Sequence, residues 1–292
     1  MLETEWERLD HIGDGEYATI FKVAKVGQAK VYAAKMAKPV YGNVIKHAQH
    51  YDALDNEIAM LKQLKHPNII KLITAGKTDT PNSSILKILQ VSNLVWTGQM
   101  DPIYVMEYCK GKSLFIQSKR ASYSETEIQN IARQMASALS YLKSKNIIHC
   151  DIKLANILCC NNGKYRLADF GFARMAPSRP NGYVGTPYYM APEIWDYETL
   201  SFGVDSWGLG VALYILLFGR PPFDGCSKAE IKPKIKAGIL NYPPQSTVSD
   251  AARDLLEKIF VPDQNARIAI EDVLTHPWLN SKSVEDVSID LE

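Results

Sequence analysis

His149-Cys150-Asp151-Ile152-Lys153-Leu154-Ala155-Asn156 sets an imidazole, a thiol, a carboxylate, an ammonium and an amide within a single octet. Asp169-Phe170-Gly171 follows downstream, after the strand-like KYRLA of residues 164–168. A carboxylate and an amide arriving from neighbouring loops, Asp169 and Asn156, are hard oxygen donors of the kind Mg²⁺ takes together with substrate phosphates. Asp151 remains as a separate carboxylate that can accept a proton. The thiol leaves two readings open. Cys150 is either a nucleophile activated by His149 or a replacement for some other residue.

Upstream, Gly13-Asp14-Gly15-Glu16-Tyr17-Ala18-Thr19-Ile20 lies between two strand patterns and predicts a tight hairpin, whose glycines let the backbone approach a phosphate closely. The strand that follows it contradicts a helix-opening dinucleotide motif. Lys35 ends the apolar strand VYAAK, where an ammonium among small side chains needs solvent or an anion. Glu57, in the helical pattern of YDALDNEIAMLKQLKHPN (51–68), could be that anion and leave the ammonium aimed at a phosphate. Taken singly, each feature is also an ordinary turn or surface charge. Their fixed order, followed by Ala191-Pro192-Glu193, is hard to obtain by chance.

On these residues the chain resembles the eukaryotic protein kinase catalytic domain, from about Trp6 to Leu279. The resemblance implies an α+β bilobal fold with a small β-rich N-lobe carrying one main helix and a larger, mainly helical C-lobe. It also implies ATP and Mg²⁺ as cofactors. Ile12, Gly13, Gly15, Ala18 and Ile20 would cover the nucleotide, with Ala18 in place of the last loop glycine. Lys35 would contact the α- and β-phosphates and pair with Glu57. Asp151 would be the catalytic base, Lys153 would steady the γ-phosphate, and Asn156 and Asp169 would hold the metal ions. Met106 aligns with the gatekeeper and Glu107 to Cys109 with the adenine-binding hinge, while Ile20, Ala33 and Leu158 would sandwich the purine. Leu61, Leu72, His149 and Phe170 would stack as a spine. Glu193 should pair with Arg267, and Asp205 should brace the catalytic loop from a buried helix.

Lys153 and Gly185-Thr186-Pro187-Tyr188-Tyr189 resemble serine/threonine rather than tyrosine kinases, and YILLFGRPPFDG (214–225) with THPWL (275–279) resembles the calcium/calmodulin-dependent group. Cys150 stands where most members carry arginine. A neutral thiol cannot form the bidentate bonds with which arginine grips a phosphate, so activity independent of activation-loop phosphorylation is expected, although Ser178, Tyr183 and Thr186 could still be modified. Ser113, Ala155 and Ile215 occupy positions that are often acidic in kinases selecting an arginine upstream of the target, so no strong preference of that kind is expected. The missing arginine and third glycine also keep open a nucleotide-binding scaffold.

Composition bounds the remainder. With 292 residues, 46% of them hydrophobic, the chain can bury a sizeable core. A net charge of +1 gives no basic stripe for nucleic acid and no polybasic membrane anchor. The longest apolar run, Val211 to Phe218, is far shorter than the ~20 residues that span a bilayer and predicts a buried helix. Five cysteines without paired spacing, and a start lacking an apolar signal region, predict reduced thiols and a cytoplasmic location, with the nucleus as an alternative. The predicted layout is an N-lobe over 1–106, a hinge at 107–111, a C-lobe over 112–280 and an acidic tail over 281–292. Residues 77–102 read as an insertion that either decorates a hairpin or meets a partner, and Ile85 to Val91 within it as an extra strand or a short helix. The acidic tail carries no calmodulin-binding segment. The expected partner is a protein substrate offering a serine or threonine.

Overall fold

The computed structural model describes residues 3–15, 17–38, 44–78, 83–89, 101–179 and 185–280. The chain divides into two compact units. One comprises Met1–Lys110 and Asp169–Phe172, the other Gly111–Ala168 and Ala173–Glu292.

In the first unit, β1 (Glu3–Asp14), β2 (Ala18–Lys25), β3 (Val31–Ala37), β4 (Leu72–Thr78), β5 (Ile85–Leu89) and β6 (Asp101–Glu107) close into a barrel of order β1-β2-β3-β6-β4-β5, with α1 (Val44–Lys62) between β3 and β4. Period-two alternation sorts the side chains to opposite faces of each strand. Ala34 and Met36 of β3 and Ile103 and Val105 of β6 join Trp6, Val23, Leu86 and Ile88 in one buried cluster. The alternate positions, Ala33 and Lys35 of β3 with Met106 and Tyr104 opposite them on β6, therefore share the other face. Ile58 and Leu61 of α1 are buried as the helical spacing predicts.

The 77–102 region differs from a decorated loop at one point. Ile85–Leu89 pairs antiparallel with β1 over Glu3–Glu7 and with β4 at Lys77, so it is the strand that closes the barrel. Leu86 and Ile88 are fully buried because this strand has neighbours on both edges and a core beneath. Residues 90–100, Tyr183 and the tail from 281 lie outside the described residues.

The second unit contains α2 (Leu114–Ser118), α3 (Glu125–Ser144), β7 (Ile147–Ile148), β8 (Ile157–Cys159), β9 (Tyr165–Leu167), β10 (Arg174–Met175), α4 (Pro192–Trp195), α5 (Gly203–Phe218), α6 (Lys228–Ala237), α7 (Asp250–Ile259), α8 (Ile270–Thr275) and α9 (Pro277–Asn280). α3 begins with a capping box in which Ser124 and Glu127 satisfy each other's backbone amides, and it buries Ile128, Ile131, Met135, Ala138, Leu139 and Leu142 along one stripe. α5 is buried from Val204 to Tyr214, whereas Ile215 to Phe218, the second half of the apolar run expected to be buried, are half-buried. Gly208 lets it approach the segment 149–156, since a Cβ there would stand 2.9 Å from that of Ile152. Among the described residues no helix is long and apolar enough to cross a membrane.

Cysteine chemistry departs from expectation at two positions. Cys109 and Cys160 are disulfide-bonded, whereas Cys150, Cys159 and Cys226 are free. The spacing of cysteines along a sequence does not by itself reveal which are oxidised.

Candidate active site

In the first unit the hairpin between β1 and β2 is tied at its base. Gly15 donates its N–H to the Ala18 carbonyl at 2.8 Å, and Thr19 Oγ1 donates to Asp14 at 3.1 Å. Lys38 adds a tie that the sequence reading missed, donating to the Gly15 carbonyl and the Asp14 carboxylate, each at 2.9 Å. Two bulges in β1, between Arg8 and Asp10 and between His11 and Gly13, turn the strand as it enters the hairpin. A Cβ added at Gly13 would meet nothing within 4 Å, so the tip is open to an approaching group. Ile12 is exposed, Ile20 half-buried, and Ala18 and Ala33 buried.

Lys35 Nζ contacts Glu57 Oε2 at 2.7 Å and Asp169 Oδ1 at 2.9 Å. Burial opposes the ammonium, but the two carboxylates overcome it and hold the Lys35 pKa above its ordinary value. Burial pushes the Glu57 carboxyl upward against the pull of Lys35. Glu57 Oε1 also accepts the Phe170 N–H at 3.0 Å, and Asn56 Nδ2 donates to the carbonyls of Phe170 and Gly171 at 3.4 and 3.1 Å. Asp169 adopts φ 66°, a strained left-handed conformation for a non-glycine residue. These bonds hold Asp169–Phe172 against the first unit. Met106 is buried opposite Ala33, and the Glu107 N–H donates to the Lys71 carbonyl at 3.0 Å. Leu61 and Phe170 are buried and Leu72 half-buried.

In the second unit Asp151 is 3% exposed. Its Oδ2 contacts Lys153 Nζ at 2.6 Å and accepts from Asn156 Nδ2 at 2.9 Å, while the Asp151 carbonyl accepts from the same amide at 2.8 Å. Lys153 also donates to Thr186 Oγ1 at 3.1 Å. Beneath this loop Asp205 accepts the N–H groups of His149 and Cys150 at 2.7 and 2.9 Å. The His149 ring is occupied by backbone: Nδ1 accepts the Asp151 N–H at 3.3 Å and Nε2 faces the Ala168 carbonyl at 3.2 Å, which assigns the proton to Nε2. Burial first, then the Asp205 and Asp151 carboxylates, drive the Cys150 thiol pKa far upward despite the opposing charge of Arg174. A neutral thiol beside an imidazole already committed to backbone is no nucleophile. Substitution is therefore the reading that stands for Cys150. Leu158 is half-buried on β8, bridged to Ser113. Glu193 and Arg267 form the expected bidentate pair, at 2.7 and 2.9 Å.

Residues 6–279 match the protein kinase domain family. The chain is a protein kinase domain. It is similar to human serine/threonine-protein kinase ULK3, with 34% identity over 283 residues, covering 93% of this chain and 54% of that protein. It also resembles mouse death-associated protein kinase 2, at 28% identity with 96% and 73% covered, and rat serine/threonine-protein kinase DCLK1, at 31% with 94% and 60% covered. The kinase domain is thus of the serine/threonine type, and the chain spans about half the length of the ULK3 relatives it matches.

Proposed function

We propose that this kinase domain transfers the γ-phosphate of Mg-ATP to serine or threonine hydroxyls of proteins, and does so without phosphate on the segment between Asp169 and Glu193. The observation that carries this reading is Asp151, a buried carboxylate held by Lys153 and Asn156 with Thr186 beside them. Such a carboxylate need only orient a hydroxyl and take its proton late, because the transition state of phosphoryl transfer is loose. The residues present fit the expected groups. Lys35 is an ordered ammonium suited to phosphate oxygens. Asp169, with a side chain 45% exposed, and Asn156, an amide oxygen on the second unit, are the donor types Mg²⁺ takes. Magnesium, when bound, supplies positive charge to the phosphate oxygens.

Independence from loop phosphorylation is supported by how the catalytic loop is held. Asp205 fixes the backbone at residues 149 and 150 from below, and residue 150 offers a buried neutral thiol rather than a guanidinium for an added phosphate. Ser113, Ala155 and Ile215 carry no charge to select an upstream arginine. The test is γ-phosphate transfer to a serine/threonine peptide library by phosphatase-treated wild type beside Asp169→Ala. Transfer by the wild type alone, on peptides without a dominant upstream arginine, is the expected result. Activity that vanishes on phosphatase treatment would refute the independence, and bound nucleotide without transfer would favour a scaffold.

A further inference from the structure

Tyr104 and Lys35 are direct partners across β6 and β3. Opposed residues in an antiparallel pair project to the same face with Cβ atoms about 5 Å apart, so this tyrosine stands beside the ammonium. It is 1% exposed, and a buried phenol requires a hydrogen-bond partner. The acceptor on that face is the Glu57 carboxylate, which Lys35 Nζ contacts at 2.7 Å, and the phenol lies in its field.

Glu57 therefore receives bonds from the Lys35 ammonium and the Phe170 amide, and faces the Tyr104 hydroxyl as a third donor. These donors differ in how firmly they are placed. The ammonium is shared with Asp169, and the amide belongs to a segment whose first residue holds a strained φ. The hydroxyl ends a rigid ring mounted on β6, a barrel strand bonded to β3 on one side and β4 on the other. Charge points the same way. One ammonium faces two carboxylates, and a phenol supplies a donor without adding a cation that would compete with Lys35 for phosphate. Burial, followed by the negative charges of Glu57 and Asp169, raises the Tyr104 pKa well above its ordinary value, so the group stays a donor.

We propose that Tyr104 is a positioning residue whose hydroxyl, fixed by the β3–β6 pairing, holds the Glu57 carboxylate where it orders the Lys35 ammonium. The proposal rests on the phosphoryl-transfer reading for its kinetic consequence but not for its structural one. Tyr104→Phe removes the hydroxyl and keeps the ring. One charge-assisted hydrogen bond corresponds to about a tenfold effect, so kcat should fall about tenfold with KM for ATP changing less than threefold. Hydrogen exchange at the Phe170 amide should quicken by about the same factor, while exchange in the α3 core stays as in the wild type. In a Glu57→Gln background the same change should add less than twofold, since the hydroxyl acts through that carboxylate. Unchanged exchange at Phe170 would overturn the proposal, as would an additive double variant. Should the wild type transfer no phosphate, exchange in Tyr104→Phe alone decides: quickened exchange at Phe170 with an unchanged α3 core supports the positioning, and an unchanged amide refutes it.

Discussion

Cys150 sits at φ 65°, buried, between the backbone clamped by Asp205 and the loop near Gly185. Its protonated state is a folding property as much as a chemical one. The folded thiol keeps its proton well above the ordinary value of 9.0, and the buried Cys159 is likewise raised, to about 11. Because the folded values lie above the unfolded one, both contributions are intact below pH 9 and are lost as pH rises from there toward the folded values. At pH 7.5 iodoacetamide should label the exposed Cys226 and spare Cys150 in the native protein, which peptide mass spectrometry would read. Cys150→Ala should flatten the fall of denaturation midpoint above pH 9, and an equally steep fall would contradict the assignment. The catalytic octet, Lys35, Glu57 and Asp169 were legible because their chemistry is unusual for their surroundings. Tyr104 was not, since within the apolar run PIYVMEY it looks like one more core residue. Only the register of β6 against β3 sets it beside Lys35, and register is a long-range property.

Elements show the same division between local and distant information. α3 was legible from Ser124 through its apolar stripe because capping and 3.6-residue spacing are local. Its capping box is exposed at the surface, so Ser124→Ala should cost about 1 kcal/mol, measurable as a lowered denaturant midpoint at constant slope. No change in midpoint would mean that the helix start is held by other contacts. β5 was ambiguous because a short apolar run fits a strand or a buried helix equally well. What decides it is pairing with the distant β1, as when Thr4 Oγ1 reaches the Ile88 carbonyl over a separation of 84. Disulfide bonding at Cys109 and Cys160 escaped the sequence reading because cysteine spacing does not fix oxidation.

At the scale of the molecule, the first unit is discontinuous in sequence. Asp169–Phe172 belongs to it, yet Gly111–Ala168 intervenes. The bonds that those residues supply, from Phe170 to Glu57 and from Asn56 to the Phe170 and Gly171 carbonyls, cannot form in residues 1–110 alone. A fragment of residues 1–110 should therefore unfold at lower denaturant than the same unit within the full chain, and Glu57→Gln should destabilise the fragment further, because without Asp169 it leaves the buried Lys35 ammonium no carboxylate partner. Equal midpoints for the fragment with and without that change would argue against it. The order of synthesis gives this a temporal meaning. A ribosome that has released the barrel has not yet made Phe170, so the nascent N-terminal unit emerges with its central glutamate short of a donor and is completed only after the octet 149–156 has left the tunnel. The Lys35–Glu57 pair thus matures late in translation, when residues 149–156 already exist.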